Sequence, residues 1–245
     1  MAYKKFAHFY DAFMEGAPYD EWVNFTKDMI SQYRPNSRGM IDLGCGTGEI
    51  AIRLAELNFA VTGVDLSSEM LAIAHQKAQE KNLDITWIEQ DLRRLQNPYE
   101  YDVAISYCDV INYVTDPEEI REIFLGVYKL LSENGLFLFD VHSEKYVNDF
   151  LASNTFAEVR NEVSYIWFCE PGEEESSVEH ELTFFVQNDN GSYNRYDETH
   201  LQRTFPISFY QKLLQDCGFT ILNMYGDFSE EITERTDRIF IVCQK

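Results

Sequence analysis

Two spacings of apolar residues alternate along the chain. In residues 22–33, Trp22, Phe25, Met29, Ile30 and Tyr33 recur three or four positions apart, which predicts a helix with one buried face. Pro35 ends it, because its ring disfavours helical backbone in the residue before it. The short apolar runs 39–43, 60–65, 85–89, 102–106 and 136–141 predict buried strands. Helical spacing returns between them. Residues 49–57 follow the first run. Ser67 suits the N-cap of a helix carrying Met70, Leu71, Ala74 and Ala78. Asp116 and Pro117 open the clearest helix, with Ile120, Ile123, Phe124, Val127, Leu130 and Leu131 on one face and Asn134-Gly135 as its stop. Helix 207–217, ended by Gly218, and strands 219–225 and 238–243 complete the pattern. An amphipathic start, residues 6–13, predicts a helix or turn packed on this body.

Such alternation predicts an α/β fold: a Rossmann-like, seven-stranded, mostly parallel sheet with helices on both faces. The rhythm breaks between residues 154 and 205. Val159, Val163, Tyr165 and Trp167 alternate with mostly polar residues, and so do Val178, His180, Leu182, Phe184 and Val186. Pro171-Gly172 with the acidic run Glu173 to Glu175 predicts one turn, and Asp189-Asn190-Gly191 a hairpin. Three antiparallel strands with one apolar face are expected, inserted before the last helix. That face should cover the mouth of the parallel sheet. The expected division is a core of residues 1–153 and 206–245 and an antiparallel flap of residues 154–205 on the substrate side.

Charge narrows the function. A formal net charge of -22 repels phosphate backbones and anionic membranes. Nucleic-acid partners are therefore disfavoured, and neutral or cationic small molecules fit better. No apolar run approaches a membrane span, and no long apolar stretch follows Met1-Ala2-Tyr3-Lys4-Lys5. The five cysteines form no C-x-x-C pair, and the five histidines lack metal-ligand spacing. The expectation is a reduced cytoplasmic protein without a structural metal.

The candidate chemistry starts at Ile41-Asp42-Leu43-Gly44-Cys45-Gly46-Thr47-Gly48-Glu49. A glycine loop between strand and helix is a ligand loop, but its G-x-G-x-G spacing departs from the dinucleotide fingerprint G-x-G-x-x-G. That speaks against an NAD-dependent dehydrogenase. Gly44 and Gly46 would let the backbone turn tightly beside a ligand, in space a side chain would fill. Asp65 ends the second strand, where an acid commonly accepts ribose hydroxyls, and Asp91 ends the third. One isolated Asp would be read as a cap; three beside a glycine loop point to a ligand.

Asp42 through Gly48 closely resembles the glycine motif of class I S-adenosylmethionine-dependent methyltransferases. Gly63-Val64-Asp65-Leu66-Ser67 and Gln90-Asp91-Leu92 are similar to that family's next two motifs, in the right order. The resemblance covers most of the chain and points to the small-molecule type with an antiparallel insertion and an antiparallel last strand. It implies S-adenosylmethionine as cofactor. Gly44, Cys45, Gly46 and Gly48 would approach its methionine and ribose portions, and Asp42 would hold the methionine end. Asp65 would bind the ribose, Leu66 and Met70 would pack near the adenine, and Asp91 with Leu92 would meet its edge. Tyr10-Asp11 resembles an aromatic–acid pair that closes over the cofactor, and Cys108 should lie beside the methyl group.

The acceptor side is less determined. Asp109-Val-Ile-Asn112-Tyr113 resembles a variant of the family's substrate loop without matching the N-P-P-Tyr pattern of base and amide methylation. A sulfonium methyl is already activated, so orientation can supply much of the catalysis. A base is needed only for a protonated or hydroxyl acceptor. Asp109 and His142 are the candidate bases, with His180 a third; both histidines also fit side chains bonded within the fold. Tyr165 and Trp167 could wall an acceptor pocket or simply pack. The leading expectation is methyl transfer to a small molecule. The alternatives are methylation of RNA or protein, and cofactor binding without catalysis.

Overall fold

The computed structural model describes residues 10–11, 14–96, 99–160, 163–188, 190–228 and 231–245. Most of the amphipathic start, residues 6–9 and 12–13, and Asp189 of the hairpin lie outside them. Seven strands form one sheet: β1 (Gly39–Leu43), β2 (Ala60–Asp65), β3 (Thr86–Glu89), β4 (Tyr101–Ser106), β5 (Leu131–His142), β10 (Thr220–Gly226) and β11 (Arg238–Gln244). Their order is β10-β11-β5-β4-β1-β2-β3. β11 pairs antiparallel with both β5 and β10, and the other pairs are parallel. The chain runs outward from β1 in both directions, so the strand order reverses between β1 and β4. Ligands bind at such a point, beyond the C-terminal strand ends.

Alternation along the strands sorts the core into two layers. Ile41, Ala104, Phe137, Phe139 and Ile241 face one side, where α4 (Pro117–Leu130) and α5 (Ile207–Asp216) bring Phe124, Tyr210 and Leu214. Met40, Val103, Leu138 and Phe240 face the other, under α1 (Tyr19–Tyr33) and α2 (Glu49–Glu56) with Trp22, Phe25 and Leu54. The remaining helix, α3 (Ser68–Glu80), begins where the Ser67 hydroxyl accepts the Met70 amide. Asp116 caps α4 by accepting the Glu118 amide. That helix ends at Leu130, before the anticipated Asn134-Gly135 stop, because Leu131 already starts β5.

The insertion holds four strands, not three: β6 (Thr155–Val159), β7 (Val163–Pro171), β8 (Ser177–Gln187) and β9 (Tyr193–Arg203). The apolar alternation starting at Val159 spans a chain reversal, so Val159 ends β6, 88% exposed, and Val163 begins β7. This second, wholly antiparallel sheet packs at two places. Val163, Leu182 and Phe184 meet Met70 of α3. Cys169 and Val178 meet Val147, Leu151 and Ala152, which follow β5. Thr204, just past β9, donates its hydroxyl to the His142 carbonyl at 2.6 Å.

Candidate active site

A cavity of about 880 Å³ lies beyond the C-terminal ends of β1, β2 and β4. One wall is the core, and the other is the second sheet, which contributes Tyr165, Trp167, His180, Leu182, His200 and Gln202. Of the residues singled out from the sequence, Tyr10, Asp42, Gly44, Cys45, Gly46, Asp65, Leu66, Met70, Asp91, Leu92, Cys108, Asp109 and His142 line it. Gly48 does not. At φ +80° it begins α2, and a Cβ there would meet Ala74 and Trp87 at 2.9 and 2.8 Å. Its glycine allows α2 to pack on α3 and β3.

The other two loop glycines differ from one another. Gly46 has open space where a Cβ would project, which suits a ligand lying against bare backbone. A Cβ on Gly44 would run into Val110 at 2.5 Å, so that glycine admits the loop after β4 rather than a ligand. Of the two, only Gly46 has open space on its Cβ side, while the backbone of both borders the cavity.

The half of the cavity beside the glycine loop is held by carboxylates. Asp65 accepts the amides of Gly46 (2.8 Å) and Ser67 (2.9 Å), which fixes the glycine loop against the end of β2. Burial pushes its carboxyl up, partly offset by those amides. Asp42 is only 3% exposed. Burial, then the nearby Asp65 charge, push it up to about 7. Two desolvated carboxylates facing one cavity favour a cationic ligand. Asp91 instead caps the turn Leu92–Arg94 and chelates Arg93, which holds its carboxyl below the usual range. Its two oxygens are thus already engaged beside the cavity. Asp11 accepts the Thr47 hydroxyl at 2.6 Å and pairs with Lys77 at 2.5 Å, which latches Tyr10 over the glycine loop.

The half of the cavity beside the second sheet is bordered by a polar chain that spans both sheets. Trp167 donates its indole N–H to His180 Nδ1 (3.0 Å), and His180 Nε2 meets Gln202 Oε1 (3.1 Å). Gln202 donates to Asp109 Oδ2 (2.7 Å), and Arg238 donates to Asp109 Oδ1 (2.8 Å) and Asp140 Oδ1 (2.7 Å). Burial alone would raise the Asp109 carboxyl, but the neighbouring His142 and Arg238 hold it far below the usual range. A carboxylate so stabilised is a weak proton acceptor and a persistent anion. Burial pushes His180 down to about 4, so it is neutral. His142 Nε2 lies 3.5 Å from Asp109, and its buried Nδ1 has no hydrogen-bond partner among the described residues.

Asp140, Arg238, Gln202 and Thr47 escaped the sequence reading. One signal existed for Asp140: an acid inside the otherwise apolar run of residues 136–141. Fully buried, it accepts Trp22 Nε1 at 2.6 Å and the amides of Cys108 and Asp109 at 3.2 and 2.8 Å. Both of those residues have left-handed backbone, φ 59° and 54°. Among the described residues no cluster of His, Cys, Asp and Glu could hold a metal ion, and no helix is long and apolar enough to cross a membrane.

Comparison with known proteins agrees with this geometry. The family described as "Methyltransferase domain" matches residues 40–135. A Geobacillus sp. (strain WCH70) protein named "Putative methyltransferase" is 43% identical over the full length of both chains. The Bacillus subtilis (strain 168) protein "Putative methyltransferase YqeM" is 40% identical, covering 100% of this chain and 98% of that one. The crystal structure of an S-adenosylmethionine-dependent methyltransferase from Clostridium acetobutylicum superposes with a TM-score of 0.89 at 28% identity, covering 100% of this chain and 99% of that one.

Proposed function

The chain belongs to the class I S-adenosylmethionine-dependent methyltransferases, and we propose that it methylates a small molecule held between the core strand ends and the second sheet. The observation that carries this reading is the walled cavity itself. Its size falls within the range of about 300–1,000 Å³ typical of small-ligand pockets. Its second wall is built by the insertion, so residues 154–205 act as a flap that bounds the acceptor. The overall charge of -22 opposes RNA as the acceptor.

When bound, S-adenosylmethionine supplies a methyl group activated on a sulfonium. The residues present fit it: bare backbone at Gly46, Asp65 at the end of β2, and the buried carboxyl of Asp42. In this reading Asp65 binds ribose hydroxyls and Gly46 lets the ligand approach the loop. Asp42 attracts the positive methionine end, and Leu66, Met70 and Leu92 border the adenine. Tyr10 covers the loop from above. Cys108 and Asp109, fixed by Asp140, set the floor where the acceptor lies. Catalysis is then orientation in a site shielded from water.

Asp109 serves as a fixed anion rather than a base, because Arg238 and His142 suppress its basicity. His142 is positioned beside it and takes the role of proton acceptor when the nucleophile carries a proton. The test is methyl transfer into a metabolite extract from isotope-labelled S-adenosylmethionine. Labelled small molecules support the reading. Label found only in added tRNA, ribosomes or protein overturns it.

A further inference from the structure

Eight carboxylates and only two guanidiniums line the cavity among the described residues, with no lysine. Neither guanidinium is available to an anionic ligand. Arg93 is held by Asp91 (2.6 Å) and Glu119 (2.8 Å). Arg238 is held by Asp109 (2.8 Å) and Asp140 (2.7 Å). On the acceptor side two carboxylates, Asp109 and Asp140, share one guanidinium, with His142 Nε2 3.5 Å from Asp109, so fixed negative charge outnumbers fixed positive charge there. An acceptor bearing a carboxylate or phosphate would meet that charge without a counter-ion.

The same wall suits a cation. The Asp109 side chain is 19% exposed and lines the cavity. Oδ2 accepts Gln202, and Oδ1 accepts Arg238 with His142 Nε2 3.5 Å away. A carboxylate offers about four lone-pair sites, so capacity is left for a ligand N–H. Tyr113, Tyr146 and Trp167 line the cavity as well, and aromatic faces attract ammonium groups.

Resting on the methyltransferase reading above, we infer that the acceptor is an amine, bound as an ammonium through Asp109 and methylated on nitrogen. The bound ammonium first loses a proton to the imidazole of His142, which lines the cavity beside Asp109. The nitrogen lone pair then forms the bond to the methyl carbon, and the carbon–sulfur bond electrons stay on sulfur. The product is a methylated ammonium, which the same carboxylate tolerates. No further co-reactant is needed.

The experiment uses the full chain, S-adenosylmethionine carrying a ¹³C methyl group, and a metabolite extract of the source cells. Products are identified by mass spectrometry and by the ¹³C shift of the new methyl group. A methyl on nitrogen supports the inference. A methyl on oxygen, sulfur or carbon overturns it and leaves the small-molecule reading standing. No labelled small molecule, with cofactor binding intact by calorimetry, overturns both. Failure to bind the cofactor refutes the reading on which the inference rests.

The second readout is binding. The parent amine identified from the product is titrated onto the protein loaded with S-adenosylhomocysteine, wild type against Asp109→Asn. Loss of the charge should weaken amine binding about 10- to 100-fold, with S-adenosylhomocysteine affinity changed less than about twofold. Equal amine affinity in the two proteins overturns the role given to Asp109.

Discussion

The carboxylate of Asp140 accepts the backbone amide of Asp109 at 2.8 Å and so holds a residue whose φ is 54°. Asp140 also takes Trp22, the Cys108 amide and Arg238, so one side chain ties α1, the loop after β4 and β11 to the end of β5. Asp140→Ala leaves three donors and part of a guanidinium unsatisfied in the interior. A loss of about 3–5 kcal/mol is expected, read as a drop in the denaturant midpoint. Wild-type stability in that variant would refute the assignment.

In the proposed site Asp65 acts on the donor side alone. Asp65→Ala removes the acceptor for Gly46 and the proposed ribose contact. Calorimetry should show cofactor affinity falling at least about tenfold, the size of one charge-assisted hydrogen bond. An unchanged dissociation constant would place the ribose elsewhere.

With Asp42 at the methionine end, as proposed, cofactor binding should depend on pH. Its carboxyl stands at about 7 against an ordinary 3.8, because it is buried and faces Asp65. A cationic ligand favours the ionised form, so S-adenosylmethionine should bind more tightly as pH rises through about 7, with proton release on binding. Calorimetry in two buffers of different ionisation enthalpy measures that release. Asp42→Asn should abolish it, and S-adenosylhomocysteine, lacking the sulfonium charge, should show less of it. The sign for folding is opposite. A raised carboxyl stabilises the ligand-free fold fully below its unfolded value near 4, and that contribution is lost as pH rises toward 7. Thermal melts between pH 4 and 8 should therefore show the cofactor's stabilising effect growing with pH.

Gln202 joins the second sheet to the core through Asp109 at 2.7 Å. Gln202→Leu keeps the approximate volume but cuts the chain that starts at Trp167. With the acceptor identified, its KM should rise about tenfold or more while S-adenosylhomocysteine affinity stays within about twofold. A matching loss in both affinities would mean that Gln202 serves folding rather than the acceptor.

The elements were legible wherever local chemistry repeats. The two-layer core follows from strands such as residues 136–141, whose alternate side chains belong to opposite faces. Caps such as Ser67 and Asp116 mark helix starts because their side chains bond amides three or two residues on. Misreadings came where pattern and path part company. Val159 continues the alternation of β7 although the chain has turned back between them, since period two is blind to a reversal. Gly44 and Gly48 belong to the loop motif, yet their missing side chains make room for Val110 and for Trp87 with Ala74. A glycine in a sequence shows that space is needed, not what fills it.

The sequence by itself determined the fold class and the donor. The strand ends that carry Asp42, Asp65 and the glycine loop are consecutive in the chain, so short-range spacing encodes their meeting. Only the tertiary structure decided the wall proposed for the acceptor. Asp109 meets Gln202 across 93 residues and Arg238 across 129, and Trp22 meets Asp140 across 118. Those encounters depend on strand order, on the register of β11 against β5 and on how the second sheet seats on α3. No local period carries that information, because it arises from packing between elements that are distant in the chain.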